Sequence, residues 1–218
     1  LSVILPVLWA MKMHFIFHAY LSRRRGRPLR ITEKTQPGNL RLMMQKRGTM
    51  IKYKNIEAEE AEDFWNFLTA LDKETDCMMY EPGERALRSS LEELKEDIFS
   101  NVIHGRDFLC IALDAGRIVG YLRAERGKCN RIRHTAYIVT GILKSYRERG
   151  IGTAFFQGLD KWAEENQIYR LELSVECPNE AARHLYERSG FSIEGIRKSS
   201  MYVNGEYVDE YYMAKILG

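Results

Sequence analysis

Residues 147–153 read RERGIGT, after which the chain turns abruptly apolar through Ala154, Phe155 and Phe156. A glycine-rich turn that leaves a strand and opens a helix aims several backbone N–H groups at one point, where the helix dipole adds partial positive charge. Gly150 and Gly152 let the backbone approach a ligand with no Cβ in the way, Thr153 adds a hydroxyl, and Arg147 and Arg149 add charge. The chemistry of such a turn is anion binding, phosphate above all. Taken alone, the segment also fits a strand-to-helix turn that simply needs glycine. A nucleotide-triphosphate loop would require a lysine after its last glycine, and none follows here. A dinucleotide fingerprint would require a third glycine where Phe155 stands.

A second segment, NEAARHLYERSGF at residues 179–191, selects among the remaining anions. Arg147, Gly150 and Gly152 in the pattern R-x-x-G-x-G, followed by Asn179, Ala182, Leu185, Tyr186, Gly190 and Phe191 in the pattern N-x-x-A-x-x-L-Y-x-x-x-G-F, resemble the GNAT N-acetyltransferase superfamily. The details of residues 134–143 and of the C-terminal GEYVDEYYM are most similar to its bacterial ribosomal-protein and small-amine branch. The resemblance covers roughly residues 50–217. It implies a GNAT-type α/β fold: a mixed, mostly antiparallel sheet with splayed central strands and helices on both faces. It also implies acetyl-CoA as the cofactor, its pyrophosphate on the amides of Arg149, Gly150, Ile151, Gly152 and Thr153. The backbone of Ile142 and Lys144 would bind the pantetheine arm, with Arg147, Asn179 and Ala182 completing the cofactor set. The strands around residues 134–143 and 169–176 would splay to admit the arm, with Gly141 as the expected bulge where the splay begins.

The implied reaction is attack of a neutral amine on a thioester, which needs a base, an oxyanion donor and a proton for the leaving thiolate. Tyr186 is the candidate donor to the thiolate, one helical turn beyond the small Ala182; without the motif, it reads as a half-buried core aromatic. N-terminal acetyltransferases of the superfamily often carry Glu five residues before the motif Asn, where this chain has Ser174. Glu172 and Glu176 share a strand face with Ser174 by the two-residue period and are the alternative bases, with Glu125 and His134 on neighbouring strands. The rival to an N-acetyltransferase is a non-catalytic acyl-CoA-binding sensor of the same fold, which the serine favours. The expected acceptor is a primary amine of a small molecule or protein, reached from the helix over residues 57–71 and the acidic loop after it, with Glu74, Asp76, Glu81 and Glu84.

The elements that must hold these groups are legible by periodicity. Residues 50–56 alternate as an edge strand, and Ala61, Phe64, Phe67, Leu68 and Leu71 recur at helical spacing. Ser90 and Glu93 form a capping box ahead of a second helix. Residues 107–113, 117–125 and 134–143 read as an antiparallel meander. A helix through Phe155, Leu159 and Trp162, a strand at 169–176 with Leu171, Leu173 and Val175 inward, a helix from Asn179 and two closing strands complete the domain.

Composition narrows the partners. Residues 1–50 carry ten Lys or Arg against the single acid Glu33, whereas the remainder carries 23 against 29, so the basic balance belongs to the leader and the body offers no basic stripe for nucleic acid. Residues 1–45 are read as an N-terminal extension outside the fold and residues 46–218 as one domain. The apolar run near the start is broken by Pro6, Lys12, His14 and His18, and the basic cluster follows rather than precedes it, which argues against a membrane span or export signal. Cys77, Cys110, Cys129 and Cys177 show neither metal-ligand spacing nor a disulfide framework, as expected of reduced cytoplasmic thiols, and no metal is expected. A monomer or homodimer fits equally.

Overall fold

The computed structural model describes the backbone of residues 42–46 and 49, and residues 50–218 with their side chains. The expectation that residues 1–45 stand outside the fold falls on undescribed residues for 1–41, but 42–45 belong to the strand Leu42–Lys46, which pairs with the strand Thr49–Asn55 and so extends the sheet ahead of residue 46.

Eight strands form one sheet: β1 (Leu42–Lys46), β2 (Thr49–Asn55), β3 (Phe108–Asp114), β4 (Arg117–Arg126), β5 (Thr135–Ile142), β6 (Arg170–Glu176), β7 (Ser192–Val203) and β8 (Glu206–Ile216), in the spatial order β1-β2-β3-β4-β5-β6-β8-β7. Each neighbouring pair is antiparallel except β5 and β6. The helices are α1 (Ala61–Asp72), the short α2 (Arg85–Arg88), α3 (Leu91–Asp97) with a wider helical turn continuing to Ile103, α4 (Ile151–Glu165) and α5 (Glu180–Arg188). Period two divides each central strand between two cores. Phe108, Cys110 and Ala112 of β3 face α4 and α5, while Leu109 and Ile111 face α1 with Phe64, Leu68 and Leu71. That double burial explains why β3 reads as an unbroken apolar run rather than an alternating one.

The parallel pair is the feature that makes a site. β5 and β6 pair only through Thr135↔Arg170, Ala136↔Leu171 and Tyr137↔Glu172. Beyond that point Ile138–Ile142 pair with β4 alone and Leu173–Glu176 with β8 alone, so the two strands diverge toward their C-terminal ends. The expected splay is present, but Gly141 is not its cause: the β4–β5 register runs without a break through Tyr121↔Gly141. The parallel ladder ends after three residue pairs, and no bulge in β5 is needed to open it.

Candidate active site

The turn after β5 has the geometry that anion binding requires. Gly150 caps α4 in the left-handed region at φ 84°, a conformation that favours glycine, and contributes no side-chain cap. By contrast Ser90 Oγ accepts from Glu93 N–H at 3.2 Å at the start of α3, and Asn179 Oδ1 accepts from Ala182 N–H at 3.1 Å at the start of α5. The first intrahelical bond of α4 runs from Ala154 N–H to Gly150 C=O at 3.1 Å, so the N–H groups of Ile151, Gly152 and Thr153 precede the helical ladder. Arg147 donates through Nε to the Ile142 carbonyl at 3.2 Å, and its Nη2 is buried with no hydrogen-bond partner among the described residues. A buried guanidinium nitrogen left over beside uncapped helix amides fits a phosphate-bearing ligand. Arg149 folds back instead: Nη2 donates to the Ser145 carbonyl at 2.7 Å and the guanidinium lies 4.7 Å over the Tyr146 ring.

Between the splayed strands lies the cleft that a pantetheine arm would enter. The Lys144 N–H donates to Glu74 Oε2 at 2.7 Å. On the opposite strand, Cys77 Sγ donates to Glu176 Oε2 at 3.4 Å, and Asp76 accepts from Asn204 Nδ2 at 3.0 Å. The loop after α1 therefore straps the mouth of the cleft, touching β5, β6 and the β7–β8 turn. Two of the four acids expected near the acceptor, Glu74 and Asp76, lie in this strap. Glu84 instead pairs with Arg88 at 3.2 Å and bonds the Glu81 N–H, within the turn of α2.

Tyr186 sits under the cleft, 1% exposed, its ring 5.7 Å from Phe156 and 6.2 Å from Phe191 between centroids. Burial holds its phenol well above the usual tyrosine range, with smaller contributions from Tyr137, Cys77 and Tyr121 nearby. The hydroxyl is thus a neutral donor throughout the working pH range.

The β6 acids differ from one another. Leu171, Leu173 and Val175 pack into the α4–α5 core, so Glu172, Ser174 and Glu176 face the side that carries α1 and α3. They were expected on an outward, solvated face, but Ser174 is 3% and Glu176 6% exposed, because the strap and the neighbouring strands cover that row. Ser174 Oγ shares a 2.9 Å hydrogen bond with the Tyr137 hydroxyl across the start of the splay. Glu172 is held by Arg170 Nε at 2.7 Å, near the closed end of the cleft, and Arg170 is further paired with Glu194. Burial raises the Glu176 carboxyl above the ordinary range, partly opposed by the Cys77 hydrogen bond, and its Oε1 has no partner among the described residues. Burial, with the same Glu176 contact second, pushes the Cys77 thiol up to about 12. His134 is exposed, and its carbonyl bonds Tyr169 and Arg170 at the closed end of the strands, away from the mouth.

Next to the cleft, a cavity of about 370 Å³ opens between α1, α3 and β4, walled by Phe64, Trp65, Tyr80 and Tyr121 with Glu93 and Glu125 among its polar groups. Glu125, raised by burial, is tied to Arg123 at 3.0 Å, and Arg123 also bonds Asp97 and Asp107. Arg85, from α2, is bound bidentately by Asp72 at 2.6 and 2.8 Å. Helix α1 and the following segment line this cavity, and its acids come from α3 and β4.

A sheet opened by one truncated parallel pair, with an uncapped glycine turn at its mouth and a buried tyrosine beneath, makes a mixed α/β protein with a cleft suited to a phosphate-bearing ligand. The family model described as acetyltransferase (GNAT) family matches residues 65–191, and the chain belongs to that family, whose members use acetyl-CoA. It is 33% identical over 110 residues to the L-amino acid N-acetyltransferase AaaT of Escherichia coli, covering 49% of this chain and 66% of that protein. It is 26% identical over 162 residues to the spermidine N(1)-acetyltransferase of Escherichia coli, covering 72% of this chain and 81% of that protein. A GNAT-family acetyltransferase structure from Streptococcus pneumoniae superposes with a TM-score of 0.72 at 26% identity, over 77% of this chain and 99% of that one. Among the described residues no helix is long and apolar enough to cross a membrane, and no cluster of ligating side chains could hold a metal ion. All four cysteines are free.

Proposed function

We propose that this chain is an acetyl-CoA-dependent N-acetyltransferase acting on a primary amine, and that its catalytic domain, expected from residue 46, runs from β1 at Leu42 to residue 218. The observation that carries the proposal is the conjunction, in one cleft, of the uncapped amides after Gly150 with a buried, neutral Tyr186. Bound acetyl-CoA supplies an acetyl thioester. The amides of Ile151, Gly152 and Thr153, with Arg147, hold its phosphates, while the backbone of Ile142 and Lys144 lines the arm's path. Because the Lys144 N–H is bonded to Glu74 and the Ile142 carbonyl to Arg147, the strap and the arginine must yield these groups on binding.

The acceptor enters from the side of the sheet carrying α1 and α3. Glu176 takes a proton from its ammonium, a role suited to a carboxyl raised by burial with one oxygen free. The neutral amine nitrogen bonds to the acetyl carbon, the carbon–sulfur bond breaks as the Tyr186 hydroxyl gives its proton to the departing sulfur, and the proton that the nitrogen loses to become the amide returns to the Tyr186 phenolate, restoring the phenol. Ser174 keeps the Tyr137 hydroxyl in place at the start of the cleft and acts on no reacting atom directly. The test is thiol release from acetyl-CoA over a panel of amines, amino acids and peptides. Amine-dependent release supports the proposal, and tight cofactor binding without release for any acceptor replaces it with a sensor.

A further inference from the structure

One buried acid outside the expected site residues faces the same cleft. Glu210 of β8 stands directly opposite Glu176 in the antiparallel ladder, and Ser174 stands opposite Tyr212 one step further in. Opposed side chains share a sheet face with Cβ atoms about 5 Å apart. Glu210 is 0% and Glu176 6% exposed, so two carboxyl groups are buried side by side, an arrangement that like charges disfavour. Hydrogen bonds engage half of their oxygens among the described residues. Arg197 Nη1 donates to Glu210 Oε2 at 2.9 Å and Cys77 Sγ to Glu176 Oε2, while Oε1 of both residues is buried and unpartnered among the described residues. The pair also adjoins the start of the splay: Ser174, next along the face that carries Glu176, hydrogen-bonds the Tyr137 hydroxyl.

We infer that Glu176 and Glu210 together form the seat for the acceptor's ammonium group, which selects primary amines that carry no carboxylate on the carbon next to the reacting nitrogen. The inference rests on the acetyl-transfer function proposed above and names its substrate class. An ammonium has donors enough for both free oxygens at once and adds a second positive charge to two carboxyl groups that hold only that of Arg197. An α-amino acid brings the same ammonium with a carboxylate attached, and that group would be pressed toward two acids. Of the basic side chains, Arg197 bonds the pair but is itself 40% exposed at the side chain and engaged by Glu210, and Arg147 stands at the phosphate turn. Both are already engaged, Arg197 by Glu210 and Arg147 by the Ile142 carbonyl.

Butylamine and L-norvaline form a matched pair of probes, since norvaline adds only the α-carboxylate. With the full chain and acetyl-CoA, kcat/KM for butylamine should exceed that for norvaline by at least about tenfold, a modest discrimination for one repelled charge. In Glu210→Gln the KM for butylamine should rise by at least about tenfold while acetyl-CoA affinity is unchanged. Arg197→Met separates seat from scaffold: it breaks the same ion pair but leaves both acids, so butylamine KM should stay constant or fall. Equal or better use of norvaline, an unchanged KM in Glu210→Gln, or an Arg197→Met variant that reproduces the Glu210→Gln loss would overturn the inference. NMR titration of both probes against the CoA-loaded chain reads the seat without turnover. Butylamine binding that Glu210→Gln weakens, in a protein that acetylates nothing, would sustain the seat and remove the enzyme; tighter binding of norvaline would remove the seat.

Discussion

Replacing Tyr186 by Phe removes one hydroxyl from a side chain that is 1% exposed and packed against Phe156 and Phe191. The ring, its packing and the Ala182 position beside it are retained. A single hydroxyl contributes on the order of 1 kcal/mol to a fold, which for a chain of this size shifts the melting temperature by roughly 2–4 °C. If that hydroxyl protonates the departing thiolate, its loss should slow the chemical step by about 10² or more, at least about 2.7 kcal/mol on the barrier. The kinetic effect therefore exceeds the structural one, and the two are separable. Single-turnover acetyl transfer, which excludes product release, should fall by two orders of magnitude while calorimetric acetyl-CoA affinity stays within about twofold. Because burial holds the phenol well above the ordinary tyrosine range, the basic limb of the pH–rate profile below about pH 10 should be the same in both proteins. A Tyr186→Phe chain that folds, binds acetyl-CoA and transfers acetyl within threefold of the parent would refute the role given to Tyr186.

Gly150→Val puts a branched residue at φ 84° and a side chain over the uncapped amides, so acetyl-CoA affinity should fall at least about tenfold by calorimetry, with a loss of about 1–2 kcal/mol in stability from the left-handed backbone. Glu176 is raised in the folded protein, so the stability of its protonated form is present below the unfolded carboxylate pKa and lost as pH rises through the folded value. Melting of Glu176→Gln against pH should show a variant more stable than the parent at pH 8 and no advantage near pH 4, and the acidic limb of the parent's kcat/KM profile should lie above the ordinary carboxylate range and vanish in the variant. Arg85→Met leaves Asp72 buried without its bidentate partner and should cost about 3–5 kcal/mol in denaturant unfolding, most of it restored by adding Asp72→Leu.

Much of the frame was legible because it is local. The turn at residues 147–153, the capping box at Ser90 and Glu93 and the helix through Asn179, Ala182 and Tyr186 are each set by residues within a few positions of one another. What escaped is set across the sheet. Glu210 reads as one acid in an alternating strand until the β6–β8 register places it opposite Glu176. Ser174 and Glu176 read as outward by period, and only the strap from Glu74 to Cys77, reaching back about a hundred residues, buries them. The splay was foreseen from the resemblance and its cause was not: a ladder ending at Tyr137 leaves no mark on the residue types, whereas a glycine at 141 invites a bulge that β5 does not make. The short helix Arg85–Arg88, anchored by the Asp72–Arg85 pair, is a single turn and too short to leave a periodic signature.

Acetyl transfer itself is tested most directly by following the carbon. With acetyl-CoA labelled in the acetyl group, held well below saturation, and butylamine as acceptor, mass spectrometry should find labelled N-butylacetamide in amounts equal to the thiol released, and both should fall at least about tenfold in the Gly150→Val protein. Thiol release accompanied by labelled acetate instead of amide, or amide formed equally well by the Gly150→Val protein, would contradict an acetyltransferase site in the cleft between β5 and β6.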